Sequence, residues 1–106
     1  MKRVKRRYIL LNLDTDRDIE EREFIDTIWA SLYKIYGEYG ASQANLAPIN
    51  FNGATKQAIL RVNLAVVDQM RTAIATITSI SSKPAAVHVV AVSGTIKSLR
   101  QKTSAT

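Results

Sequence analysis

The chain has no cysteine, one histidine, two prolines and four glycines in 106 residues. Without cysteine there is no disulfide framework, no thiol nucleophile and no thiolate metal site, and a reducing, intracellular setting fits. The single histidine, His88, falls in the middle of an apolar run, where it reads as a structural residue. Gly37, Gly40, Gly53 and Gly94 are too scattered to make a phosphate-cradling loop. Asp14, Asp16 and Asp18 alternate like the start of a calcium loop, but Ile19 stands where that loop needs glycine and Ile25 where it needs glutamate. The N-terminal apolar run, Tyr8 to Leu13, is only six residues, too short for a membrane span or a signal sequence. The sequence therefore reads as soluble and cytoplasmic, without membrane contact. Its length suits one domain over residues 1–106.

Charge is plentiful but unevenly placed. The net charge is +6, yet eight of the nine acids lie between Asp14 and Glu38. With Arg17, Arg22 and Lys34 as its bases, that segment nets −5 (three against eight). The remainder holds twelve bases against Asp68 alone, a net of +11. A basic remainder of that size points to a polyanion partner. The acidic segment is a separate surface, better suited to a protein.

Periodicity supplies the elements. A basic arm over residues 1–7 leads into a strand whose Ile9, Leu11 and Leu13 make the better core face, with Tyr8, Leu10 and Asn12 opposite. Asp18 with Glu21 reads as a capping box, opening a helix from about Ile19 to Tyr36 that stops near Gly37 or Gly40. Its apolar stripe is Ile25, Ile28, Trp29, Leu32, Ile35, Tyr36 and Tyr39, widened by Phe24 and Tyr33. One flank, Phe24 or Trp29 with Tyr33, is a candidate protein interface, since such aromatics suit either a core or a contact surface. Leu46–Asn50 contains Pro48 and reads as an edge strand. Asn52-Gly53 marks a hairpin, and the second arm alternates from Lys56 to Leu64. A second helix is expected from about Val66 to Ile80, then a strand over Val87–Val92. The Ser93-Gly94-Thr95 corner follows, with Gly94 easing the turn. Ser93 or Thr95 there can cap a short helix from about Ile96.

The order strand, helix, strand, strand, helix, strand, short helix is the ferredoxin-like (split βαβ) plan of an α+β domain. Right-handed crossovers place both helices on one face of a four-stranded antiparallel sheet in the order 4-1-3-2. The first and last strands are then antiparallel neighbours. Lys2, Arg3, Lys5, Arg6 and Arg7 should converge with Lys97, Arg100 and Lys102 of the short basic segment 95–103, bringing eight of the fifteen bases to one edge, with Arg61 close by. Tyr8, Leu10, Ile59 and Val92 are expected to leave the open sheet face partly apolar. No catalytic residues are expected. A metal nuclease needs carboxylates converging near the basic edge, and an acylphosphatase-like phosphate loop would fall where this chain is acidic. The RNA-recognition motif shares the topology but stacks bases on aromatics. Strand Lys56–Val62 has none and the first strand only Tyr8, so contact through phosphates and shape is the better expectation.

Arg6-Arg7-Tyr8-Ile9, then Ile59-Leu60-Arg61-Val62 with Asp68 and Arg71 after it, then Val92-Ser93-Gly94-Thr95-Ile96-Lys97, together resemble protein component 2 of archaeal ribonuclease P. Its eukaryotic relatives are a small subunit shared by ribonucleases P and MRP. The resemblance spans nearly the whole chain. It implies a non-catalytic subunit of the ribonucleoprotein endoribonuclease that removes 5′ leaders from precursor tRNA, in which the RNA carries the chemistry with magnesium and this chain binds no cofactor. Ribonuclease P RNA and protein component 3, the latter often in a heterotetramer, are the implied partners, with precursor tRNA met indirectly. On that reading Lys2, Arg3, Lys5, Arg6, Arg7, Arg61, Lys97, Arg100 and Lys102 hold phosphates, and Ser93 and Thr95 either join them or merely cap the helix. Two other classes fit the residues: a free-standing phosphate-tracking RNA-binding domain, and a ferredoxin-like regulatory or assembly module.

Overall fold

The computed structural model of the chain describes residues 5–99. Its elements are β1 (Arg6–Asp14), α1 (Glu21–Ser42), β2 (Ala47–Asn52), β3 (Gln57–Asn63), α2 (Val67–Ala75), β4 (Ser79–Ile80), β5 (Lys83–Pro84) and β6 (Ala86–Ser93). A single 3-10 turn, Leu64–Val66, leads into α2, and a final helical turn begins at residue 96. The main sheet runs β2-β3-β1-β6 with every pairing antiparallel. Counting only these four strands, that is the expected 4-1-3-2 order.

Alternation sorts the strand side chains as expected on β1 and β3. Ile9, Leu11 and Leu13 join Ala58, Leu60 and Val62 in the core beneath the helices, together with Phe24, Ile28 and Leu32 of α1 and Met70, Ala73 and Ile74 of α2. On the other face Leu10, Ile59 and Ala91 form a second cluster, closed by Leu99. Strict alternation fails on β6. Leu10 faces Ala91 but Leu11 faces Val89, so Val90 bulges out of register and stands 50% exposed. The extra residue reverses every side chain beyond it. Val92 therefore packs into the helix-side core, not on the open face where unbroken alternation puts it.

Helix ends differ from expectation for local reasons. The capping box lies two residues later, between Glu20 and Glu23. The Glu20 N–H donates to Glu23 Oε1 at 3.0 Å, while Ile19 is buried in the core. Gly37 adopts φ 72 and ψ 178, a conformation costly to any residue with a Cβ, and there α1 breaks before one further stretch to Ser42. A Cβ on Gly40 would lie 2.7 Å from Tyr36 Cβ, so the turn can close only on glycine. Gly94, by contrast, has room for a side chain. The second helix stops at Ala75 rather than Ile80, because Ala75-Thr76-Ile77-Thr78 is rich in β-branched residues. Thr76 Oγ1 instead donates to the Ala73 carbonyl at 2.7 Å. The chain then forms the β4–β5 hairpin through Ser81 (φ 50) and Ser82 (φ 67), the paired left-handed residues of a type I′ turn.

Candidate nucleic-acid interface

β1 begins where β3 and β6 end. Arg6 faces Asn63, and Tyr8 lies between Arg61 on one side and Ser93 on the other. The Leu64 N–H donates to the Lys5 carbonyl at 2.8 Å, which ties the start of β1 to the end of β3. The Arg7 guanidinium rests on the corner: Nη1 is 3.7 Å from where a Gly94 Cβ would stand, and it donates to the Arg6 carbonyl at 2.9 Å. At the corner, the Thr95 N–H donates to Ser93 Oγ at 3.2 Å and the Ser98 N–H to Thr95 Oγ1 at 3.3 Å. Thr95 is thus the helix cap and Ser93 the turn that aims it. Both oxygens are engaged locally as acceptors. Lys97 follows, exposed, in the first helical turn.

Five of the bases assigned from sequence (Lys5, Arg6, Arg7, Arg61 and Lys97) therefore belong to one end of the sheet. Among the described residues no carboxylate pairs with any of them. Lys2, Arg3, Arg100 and Lys102 lie outside the described residues.

The open face reads in rows across the sheet. Nearest the basic end, Ser93, Tyr8, Arg61 and Ala47 lie side by side. Next come Ala91, Leu10 and Ile59 under Leu99, which is 0% exposed. Farthest away, His88, Asn12, Gln57 and Asn52 make a polar row. The C-terminal helical turn thus covers the middle of the face and leaves the first row at its border. Tyr8 is half-buried against the apolar cluster. Arg61 is half-buried too, and among the described residues its Nε has no hydrogen-bond partner; neither has the buried Oδ1 of Asn63. Sequence reasoning did not single out Asn63, although it follows Arg61 on the same face of β3. The one available signal was its place in the Ile59, Arg61, Asn63 alternation. Its Nδ2 donates to the Gln43 carbonyl at 2.9 Å, fixing the side chain.

The opposite end is built differently. Lys83 Nζ bonds the Asp18 carbonyl at 3.0 Å and both Glu23 oxygens at 3.2 Å. Lys56 Nζ bonds the Arg17 carbonyl at 2.6 Å, and Thr15 Oγ1 donates to the Pro84 carbonyl at 2.8 Å. The Glu20 N–H, then hydrogen bonds from Lys83 and Ser81, hold the Glu23 carboxyl below its ordinary value of 4.5. His88 Nε2 stands 3.7 Å from Asp14 Oδ2, with both side chains exposed.

Of the three aromatics assigned to a protein interface, Phe24 is not available: it is 0% exposed and packs on Phe51 at 5.6 Å between ring centroids. The reason is helical phase. Phe24, Ile28 and Leu32 repeat every four residues and take the sheet-facing line, which turns Ile35 outward. Trp29 stacks on Tyr33 at 5.9 Å, Tyr33 is 48% exposed and Tyr39 is 79% exposed. Of the three, Trp29 and Tyr33 remain at the surface. No helix among the described residues is long and apolar enough to cross a membrane.

Fold and edge together describe a ferredoxin-like α+β domain with one strongly cationic end. The chain belongs to the Rpp14/Pop5 family, whose model matches residues 7–104. It is 32% identical over 100 residues to ribonuclease P protein component 2 of Pyrococcus horikoshii, covering 94% of this chain and 83% of that one. The same-named protein of Thermococcus gammatolerans shows the same identity and coverage. A chain in the cryo-EM structure of yeast ribonuclease MRP superposes with a TM-score of 0.74 at 16% identity, over 98% of this chain and 95% of that one. That likeness speaks for the fold.

Proposed function

We propose that the chain is a non-catalytic protein subunit of ribonuclease P, supporting the catalytic RNA as it removes 5′ leaders from precursor tRNA. The observation that carries this is the meeting of Lys5, Arg6, Arg7, Arg61 and Lys97 at one end of the sheet, without a paired carboxylate among the described residues. It occurs in a chain whose relatives are named for that enzyme. An unneutralised cationic end is what a phosphate backbone recognises, since binding releases condensed counterions. In this reading those five bases, with Lys2, Arg3, Arg100 and Lys102, contact the RNA backbone, and the hydroxyls of Ser93 and Thr95 orient the corner. The chemistry and its magnesium belong to the RNA. Trp29 and Tyr33, on the acidic helix, form the surface for protein component 3.

The test is cleavage of precursor tRNA by the cognate RNA with component 3 at low magnesium, with and without this chain. Restored cleavage on addition is expected. Unchanged cleavage with tight, salt-dependent RNA binding would leave a free-standing RNA-binding domain instead. Neither rescue nor binding would leave a regulatory module.

A further inference from the structure

Arg61 and Asn63 pose a question that phosphate contact alone does not answer. Among the described residues, Arg61 Nε is a buried donor without an acceptor, and Asn63 Oδ1 is a buried acceptor without a donor. They lie two residues apart on the same face of β3, about 7 Å along the strand. Buried polar atoms are almost always paired, and each exception calls for a partner. Directly across the first row, Tyr8 faces Arg61, and Tyr8 is the only aromatic on β1 or β3.

Resting on the RNA-binding reading above, we infer that this row, with Asn63 beside it, is a site for one unpaired nucleotide of the RNA: its base lies against the Tyr8 ring, and its polar edge meets Arg61 Nε–H and Asn63 Oδ1. Three features favour a nucleotide over another phosphate contact. A nucleobase edge presents donors and acceptors together, which answers both orphans, whereas a phosphate offers only acceptors. An aromatic ring supplies a stacking platform, which a phosphate does not use. And the row is next to the cationic end, so the neighbouring phosphates of the same strand lie within reach of its bases. Leu99 closes the row behind it, which limits the face to a single base rather than the two or three that an uncovered sheet of this topology stacks. A duplex cannot supply such a base without a bulge or a flipped nucleotide.

The experiment compares the full-length protein's affinity for two RNA hairpins of equal phosphate count, one fully paired and one with a single bulged guanosine. A third hairpin carries an abasic residue at the bulge. The bulged guanosine should bind about tenfold more tightly than the paired or abasic hairpins, the scale of one base stacked on an aromatic side chain. Tyr8→Leu should remove most of that preference while leaving affinity for the paired hairpin within about twofold, and Arg61→Lys, which keeps the charge but lacks the Nε fork, should also remove most of the preference. Tyr8→Phe should retain the preference, which separates loss of the ring from loss of the fold. Equal binding of all three hairpins by the unaltered protein overturns the inference while leaving the RNA-binding reading intact. So does a preference that survives both Tyr8→Leu and Arg61→Lys. If no hairpin binds with salt-dependent affinity, both readings fall together.

Discussion

The two ends of the sheet use the same kinds of residue for opposite purposes. At the end where β1 runs out, Lys56 and Lys83 each hold oxygens of the acidic loop and helix start. Their charges are absorbed in pinning loop, hairpin and helix to one another. At the other end Lys5, Arg6, Arg7, Arg61 and Lys97 have no carboxylate among the described residues, and the Arg7 guanidinium bonds only the neighbouring carbonyl of Arg6. A base that serves the fold is recognisable by its oxygen partner. A base left with none keeps its field for something outside the molecule. Net charge could not have made that distinction, since both groups count equally toward +6.

The sharpest way to test the contrast is a matched pair of triple variants. Arg6→Ala, Arg7→Ala and Lys97→Ala together should reduce the log–log salt slope of RNA binding by about 2.7, at about 0.9 per phosphate contact on a duplex. Filter binding between low and moderate salt reads this directly. Arg17→Ala, Lys56→Ala and Lys83→Ala remove the same charge from the other end and should leave the slope nearly unchanged while lowering the denaturation midpoint. If both triples flatten the slope equally, only overall charge matters and the two ends are equivalent.

Between the ends lies the apolar row under Leu99. Leu99→Ala should destabilise by about 2–5 kcal/mol, the range for emptying a buried leucine site, as read by urea denaturation. A loss well below that would mean the C-terminal turn contributes little to the fold.

A smaller effect belongs to the acidic end. Ser82 holds a left-handed backbone at φ 67, which disfavours any residue with a Cβ by about 1–2 kcal/mol. Ser82→Gly should therefore raise stability by up to about 1 kcal/mol and leave RNA affinity unchanged.

The least is expected from Glu23. Its folded-state carboxyl is held below the ordinary 4.5, so the unfolded chain takes up its proton first. The stabilisation is complete above that ordinary value and is lost as pH falls through the lowered one. Glu23→Gln should flatten the decline of thermal stability below about pH 4.5 relative to the unaltered protein. Parallel curves would show that this carboxylate does not contribute to the acid response.

Much of this organisation was legible in the chain. Ile9, Leu11 and Leu13 declared their face because a strand's period of two is enforced by the backbone itself. The two strand-helix-strand halves, the Pro48 edge strand and the crossover rule then placed β1 beside β6, and with it the basic arm beside the Ser93-Gly94-Thr95 corner. A helix cap at Ser93 or Thr95 was also readable, being a matter of a hydroxyl and the N–H groups just after it, and the structure chose Thr95. These are local or topological constraints, and they act before any packing is known.

Other features required the packed structure. Whether Phe24 or Ile35 faces the sheet depends on the phase of α1, and both choices give an apolar stripe; burial against Phe51 decided it. The bulge at Val90, which sends Val92 inward and Ala91 outward, leaves no mark in a run of β-branched residues that alternates equally well in either register. Nothing in the order of residues says that Arg61 Nε and Asn63 Oδ1 lack partners. Satisfaction is a property of the neighbours, and those are drawn from β1, β2 and the segment that joins α1 to β2. The sequence by itself determined which strands pair and where the charge collects, because backbone geometry and chain connectivity suffice for both. Tertiary structure alone decided which bases are already held and which are free to hold something else.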